Sequence, residues 1–398
     1  MMRRAGAAMP LVALLAVSTA SAQEHAQHQM PAPSQDGWQW HAEGTAFFGF
    51  NYQHRKFTDF DVWESQNWIM GSGERPIGRS RLRVMSMLSL EPFTLRDIGS
   101  PQVFQTGETF RRAALVDYQH PHDLLMGLGA DLRMPAGRVM AILGADLVGS
   151  PTLGPPIFMH RPSAAENPQA PLSHHHLDST HITPGVIRGG IEVQGIKLEA
   201  SVFQGREPDE DRLDLDLGAL DSYATRLSFT RGAWYAQASA GWLTKPEVVT
   251  PYDATRLTAS VAYTQGDERR AIAWMAAFGQ NREIHGNLEA YLLEATLRTS
   301  VRDSFYTRVE SVAKDILDVG FHPVNTFHPH RQSQVSAATV GYVRDVWTST
   351  IGRFGLGADV TGYRVPANLQ EAYGRPWSVH AFLRYRGRAG AATAAHVH

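Results

Sequence analysis

The sequence predicts an all-β chain: an antiparallel transmembrane β-barrel of about sixteen strands, with fourteen as the alternative. Three observations carry this. Side chains alternate with period two in segments of about ten residues, the length that crosses a bilayer as a tilted strand. Very short polar or glycine-bearing turns alternate with long connections, as periplasmic turns alternate with outer loops in such barrels. No run approaches the roughly 20 apolar residues that a membrane helix needs.

The N-terminus supplies an export signal. Arg3 and Arg4, the apolar run from Ala5 to Val17 and the small residues Ala20-Ser21-Ala22 form its three parts, so residues 1–22 are expected to be removed. Residues 23–37, with His25, His28 and Met30, read as a flexible arm, either an exposed linker or a weak metal-gathering tail. Residues 38–386 form the barrel and 387–398 a tail, so the chain does not stop on an aromatic strand end.

Strands are expected near 40–54, 79–91, 100–110, 122–134, 138–148, 184–194, 196–206 and 222–231, then 233–243, 254–265, 269–280, 286–300, 303–313, 334–345, 349–361 and 377–386. In the second, Leu82, Val84, Leu88 and Leu90 oppose Arg81, Arg83, Met85, Met87 and Glu91. Trp234 to Trp242 alternates with Tyr235, Gln237, Ser239 and Gly241. Tyr291, Leu293, Ala295 and Leu297 oppose Leu292, Glu294, Thr296 and Arg298, and Phe305, Thr307 and Val309 oppose Tyr306, Arg308 and Glu310. Helical spacing fits none of these stretches.

Tight turns fall at Pro135-Ala136-Gly137, Gln194-Gly195, Arg231-Gly232, Gly266-Asp267-Glu268, Val301-Arg302 and Asp345-Val346-Trp347. Long connections run over Gly149–Thr183, Glu207–Asp221, Thr244–Asp253, Lys314–Ser333 and Gly362–Pro376. The segment 100–110 is the weakest strand. Without it the tight turns fall at inconsistent ends, so parity favours sixteen strands with both chain ends periplasmic.

The inward faces collect charges of both signs: Arg81, Arg83, Glu91, Asp131, Arg133, Asp146, Arg188, Glu192, Lys197, Glu199, Arg226, Glu294, Arg298, Arg308, Glu310, Arg353 and Asp359. A charge facing lipid at mid-membrane costs about 2–4 kcal/mol, which assigns these residues to the lumen. Cross-strand pairing of mixed signs makes a polar wall without strong ion selectivity. The plainer reading of the same residues is a salt-bridged interior that only stabilises the barrel.

The formal charge is −2, and loss of Arg3 and Arg4 with the signal takes it to −4, near neutral for this length, so nothing points to a nucleic-acid partner; the barrel itself makes outer-membrane lipids the expected surroundings. There is no cysteine, hence no disulfide, thiolate metal site or lipid anchor on sulfur.

Chemistry concentrates in the stretch from Pro151 to Pro184, which holds His160, His174, His175, His176 and His181 beside Met159, Glu166 and Asp178. With seven prolines and no alternating apolar run it reads as a long loop rather than a helix or a strand, and Ile157, Phe158, Leu172 and Ile182 favour its being ordered. Of 18 histidines, four lie in the terminal tails and two in strands (His41, His380). The other twelve lie in or beside outer loops, with His54, His120, His122, His285, His322, His328 and His330 joining the five above. The HPH motifs, His120-Pro121-His122 before Asp123 and His328-Pro329-His330, place two imidazoles on one side of an extended chain. Their structural alternative is a rigid loop. Imidazole with carboxylate and no thiolate suits Zn²⁺, Cu²⁺ or Ni²⁺, and Met85, Met87 or Met159 adds a thioether for Cu⁺. The candidate ligands are therefore His120, His122, Asp123, His160, His174, His175, His176, Asp178, His181, His322, His328 and His330. Ser173, Ser179, His174, His181 and Asp178 also supply the residue types of a hydrolase at the outer rim, although no glycine-flanked nucleophile turn is present.

LSLEPFTL (88–95), FQTGETF (104–110), DYQHPHDL (117–124) and the run MHRPSAAENPQAPLSHHHLDSTHI from Met159 resemble a family of bacterial outer-membrane β-barrel proteins. Its members occur alongside copper and heavy-metal resistance systems. The resemblance implies an outer-membrane barrel, a link to metal stress with copper or zinc as the ion, and a periplasmic metal-handling partner. It assigns no ligand or catalytic residue. Metal-ion handling or metal-linked transport, without catalysis, is thus the first expectation. The second is a general passive porin whose long loop folds inward as a constriction, and the third is the rim hydrolase.

Overall fold

The computed structural model describes residues 37–248, 252–284, 286–317 and 332–387. The export signal, nearly all of the arm and tail, and His285, His322, His328 and His330 lie outside them.

The wall begins with β1 (Gln39–His54), β2 (Phe60–Glu64), β3 (Asn67–Ile77) and β4 (Ser80–Leu88). A helical turn α1 (Glu91–Thr94) and the hairpin β5 (Ser100–Phe110) and β6 (Ala113–Gln119) follow. The wall resumes with β7 (Leu125–Ala136) and β8 (Val139–Gly149), and a long segment holding the helical turn α2 (His174–Leu177) leads to β9 (Thr183–Val193). Next come β10 (Ile196–Phe203), β11 (Ser222–Arg231), β12 (Trp234–Leu243), β13 (Ala254–Gly266), β14 (Ala271–Glu283), β15 (Gly286–Arg298) and β16 (Asp303–Lys314). The chain closes with β17 (Ser333–Thr348), β18 (Gly352–Arg364), the helical turn α3 (Gln370–Tyr373) and β19 (Trp377–Gly387).

Every wall pairing is antiparallel, and β1 pairs with β19 to close the cylinder. Two strands, β2 and β3, share one position: they pair in turn with residues 49–53 and 39–46 of β1. Seventeen hydrogen-bonded strands therefore fill sixteen places in a closed barrel. Closure leaves no open edge, which a barrel in lipid requires because hydrocarbon satisfies no backbone group.

Side chains alternate as anticipated. Leu293, Leu297, Phe305, Val309 and Val340 are exposed on the outer surface. Their neighbours Glu294, Arg308 and Glu310 are buried inside, with Glu294 opposite Arg308 in register. Arg83 stands opposite Asp131, and Arg188 reaches both Asp131 and Asp146. Arg133 pairs with Glu192, and Arg226 with Glu199.

The strand set differs from expectation in one exchange. Residues 100–110 are not wall: β5 and β6 form a separate two-stranded hairpin inside the barrel. Positive φ at Phe104, Gly107 and Glu108 breaks the regular ladder, and β5 is buried along almost its whole length. Neither of its faces is continuously apolar, so it cannot face lipid. The sixteenth place goes instead to β2 and β3, where Trp63 and Ile69 face outward while Val62, Glu64 and Met70 face inward. Their ladder is interrupted at Ser65, whose N–H donates to Thr94. Two local expectations shift as well. Glu91 is not a wall residue; it opens α1 and is buried. The turn placed at Asp345-Val346-Trp347 is a bulge within β17, and the chain reverses at 349–351.

Candidate functional site in the lumen

Two segments that leave the wall at the long-loop end turn inward. Residues 89–124 carry α1 and the hairpin, and residues 150–182 carry α2. The histidines expected at the rim therefore lie inside the barrel: His120, His122, His174, His175, His176 and His181 are all buried.

Wall charges hold the second segment in place. Thr152 and Gly154 donate backbone N–H groups to Ser201 on β10 and Ser239 on β12. The chain then crosses the lumen. Arg161 lies 2.8 Å from Asp178 and 2.7 Å from Glu294, and Ser163 donates to Glu294. Glu166 meets Arg384, Arg386 and Arg298. Glu310 accepts from the N–H groups of Leu172 and Ser173 and from the Ser173 hydroxyl. On the return, Asn281 donates to the His175 carbonyl and Arg256 to Ser179. Gly279 on β14 makes this docking possible, since a Cβ there would stand 2.4 Å from the His176 carbonyl oxygen. The hairpin fits beside it: Gln102 and Gln105 donate to the carbonyls of Ala170 and Pro171. Val103 and Phe104 share an apolar cluster with Leu172, Val312, Val335 and Tyr373. The void between Gln102, Gln169, Arg308, Glu310, Tyr363 and His380 is about 10 Å³, barely room for one water.

Five imidazoles form a closed ring at the junction of the two segments. Centroid separations are 5.2 Å for His122 and His181, 5.2 Å for His181 and His174, 5.3 Å for His174 and His175, 5.8 Å for His175 and His120, and 6.4 Å for His120 and His122. Most are oriented through Nδ1. That atom lies 2.8 Å from Glu91 in His122, 2.8 Å from Asp178 in His174, 2.9 Å from the Asp178 carbonyl in His181 and 3.1 Å from Glu247 in His175. A carbonyl only accepts, so His181 carries its proton on Nδ1 and presents a bare Nε2 lone pair. Nε2 of His122, His174, His175 and His181 has no hydrogen-bond partner among the described residues. An outward Nδ1 tied to a carboxylate or carbonyl, with the other nitrogen free, is the arrangement that metal-ligating histidines adopt.

Burial holds the His174 imidazole down to about 4, against the opposing pull of Asp178. Burial likewise keeps His120 and His181 well below the ordinary histidine value. An unfolded imidazole takes up its proton near 6.5, whereas His174 in place resists until about 4. The stabilisation is thus complete above 6.5 and drains away as pH falls to 4, by about 3 kcal/mol for His174. Acidification across that interval is expected to loosen the lumen segment, read as faster proteolysis or hydrogen exchange within residues 150–182; unchanged protection would refute it.

The remaining candidates lie elsewhere. His160 packs at a tilt against Trp68, with ring centroids 4.6 Å apart. Asp123 accepts from Arg212. His176 is buried, with the Ala313 backbone and not the ring of five imidazoles as its neighbour among the described residues. Met85 and Met159 join Met70, Met87 and Met126 in an apolar cluster. Sequence reasoning missed Glu91 as an orienting group, and also Glu108, Glu207 and Glu247, which lie near His120 and His175. Acidic residues in long connections were the available signal, but which connections meet is not written in spacing.

No family model and no curated protein matches the chain. Among solved structures it is similar to an anion-selective porin from Comamonas acidovorans, with 12% identity, TM-score 0.52 and coverage of 88% of this chain and 100% of that one. It is also similar to OmpF of Salmonella typhi in complex with daunomycin, with 9% identity, TM-score 0.51 and coverage of 88% and 97%. OprB of Pseudomonas putida is similar too, with 9% identity, TM-score 0.52 and coverage of 88% and 94%. At these identities the likeness establishes the fold.

Proposed function

We propose that this chain is a porin-type channel of the bacterial outer membrane whose conductance is set by the two lumen segments. The observation that carries the reading is the inward course of residues 150–182, held by Ser201 and Ser239 on β10 and β12 and by wall charges on β15 and β19 of a closed barrel. An apolar outer surface and a charged interior suit a bilayer outside and a polar lumen inside, narrowed here by the two inward segments. Cross-strand neutralisation leaves no dominant sign of charge along the wall, which favours small polar solutes over one class of ion.

A second reading, handling of a copper- or zinc-like ion with a periplasmic partner, is favoured by the imidazole ring and its free Nε2 atoms. The hydrolase reading finds less support: the Ser173 hydroxyl donates to Glu310 and that of Ser179 accepts from Arg256.

Planar-bilayer recording tests the channel. The full-length barrel is expected to give small ohmic steps. A variant with residues 155–180 replaced by a short glycine–serine bridge, checked for folding by heat-modifiable gel mobility, is expected to give steps several times larger. Absence of conductance from both folded proteins would sink the proposal.

A further inference from the structure

We propose that His175, Glu207 and Glu247 form a binding site for a borderline divalent cation of the Zn²⁺ type, clasping the lumen segment to two neighbouring loops. The inference goes beyond the channel reading and does not depend on it.

The three residues come from three connections: residues 150–182, the loop between β10 and β11, and the loop between β12 and β13. The Glu207 N–H donates to the Pro246 carbonyl at 2.9 Å, which holds the last two loops in register. His175 Nδ1 lies 3.1 Å from Glu247 Oε1 and 3.7 Å from Glu207 Oε2, and one donor atom from each residue falls within 4.8 Å of the other two. Donors bound to one tetrahedral ion at roughly 2.0–2.2 Å stand about 3.4 Å apart, so these separations bracket a shared ligand sphere.

The competing account is an imidazolium hydrogen-bonded to Glu247. It gives Glu207 only a long contact of 3.7 Å with the same imidazole, beyond hydrogen-bond reach. That side chain is only 7% exposed, and its uncharged polar neighbour besides His175 is the Ser179 hydroxyl, which is too poorly placed to complete a hydrogen bond to either carboxylate oxygen among the described residues. Two buried carboxylates facing one imidazole repel each other, and a shared cation removes both the repulsion and the bare oxygens. Arg256 and Lys314 are the nearby positive groups, but they donate elsewhere: Arg256 to Asn281 and Ser179, Lys314 to Gln105. They moderate the field without satisfying Glu207.

One nitrogen and two carboxylate donors select the ion class. Imidazole disfavours Ca²⁺, which gathers six to eight oxygens, and three protein ligands with a fourth place for water suit Zn²⁺. Because the ligands span three segments, binding the ion and docking the lumen segment reinforce each other.

The test is isothermal titration of ZnCl₂ into the untagged, detergent-solubilised mature protein. The variants are Glu207→Gln with Glu247→Gln, which keeps side-chain shape, and separately His122→Ala with His181→Ala; folding is checked by heat-modifiable mobility. Wild type is expected to show saturable binding. The glutamine pair is expected to lose one bound ion or to weaken it beyond the roughly 10–100-fold typical of outer-shell losses. The His122/His181 variant is expected to keep that ion, and excess Ca²⁺ to leave it in place. Undiminished stoichiometry and affinity in the glutamine pair, no saturable Zn²⁺ binding by wild type, loss confined to the His122/His181 variant, or equal displacement by Ca²⁺ would each overturn the site. The readout involves no conductance, so its failure leaves the channel proposal standing.

Discussion

Changing Glu166 to Ala is expected to raise single-channel conductance severalfold and to make residues 155–172 accessible to protease. Glu166 lies at the far side of the lumen crossing, almost fully buried, and meets three arginines from two wall strands: Arg298 on β15, and Arg384 and Arg386 on β19. Burial pushes its carboxyl up, yet Arg386 and Arg384 hold it down to about 2, so it is ionised across the physiological range. Truncation strands Arg384, which is buried and retains Asp345 as its remaining partner. Removing one member of a buried ion pair costs about 3–5 kcal/mol, because the survivor stays desolvated and uncompensated. The wall is closed by backbone bonds that Glu166 does not share, so the strain is relieved by withdrawal of the segment and not by loss of the barrel. Glu166→Gln keeps shape and one acceptor and should fall between the two. Conductance of Glu166→Ala equal to wild type would show that this contact does not hold the constriction.

The wall was legible because a bilayer imposes a simple rule on every second residue. Leu293 and Glu294, or Val309 and Glu310, declare opposite faces without help from the rest of the chain. The error at 100–110 came from the same rule applied where it does not hold. In β5, Val103 and Phe104 are both apolar and both buried, because hairpin and lumen segment cover the two faces alike. In β2 and β3 the alternation is real, but it is split at Ser65 and Gln66 and ends in the polar run Glu74-Arg75-Pro76, so no segment of membrane length stands out. The count survived because one strand place was lost and one gained. Of the site, the clustering of His174, His175 and His181 with the first HPH motif was visible in residue type, and five of those imidazoles do form one ring. Their position was not visible. Whether a long connection covers the rim or folds into the lumen depends on distant partners such as Glu294, Glu310 and Arg384, which nothing in local spacing identifies. The same limit hid Glu207 and Glu247, whose loops meet His175 only once the cylinder is closed.

Leu293→Arg and Glu294→Leu, adjacent on β15, are expected to fail in different ways. Leu293 is 51% exposed on the outer surface, whereas Glu294 is 1% exposed inside, opposite Arg308 and in contact with Arg161 and Ser163. An arginine in place of Leu293 sits mid-strand against hydrocarbon and costs about 2–4 kcal/mol, a large part of the stability of a typical domain. Folding yield into dilauroyl-phosphatidylcholine vesicles should fall sharply, seen as loss of the heat-modifiable band. Glu294→Leu leaves the lipid face untouched, so the barrel should still insert at near wild-type yield. Inside, however, Arg308 and Arg161 lose a shared carboxylate, and Arg161 is then held by Asp178 alone among its ion-pair partners. The consequence is a loosened lumen segment and a changed conductance in a barrel that still assembles. The reverse ranking, with efficient insertion of Leu293→Arg and failure of Glu294→Leu, would mean that the faces of β15 are exchanged. Because β14 to β17 pair in continuous register, that slip would carry Met275, Arg308 and Thr339 to the lipid side with Glu294. The channel reading would then lose its polar interior.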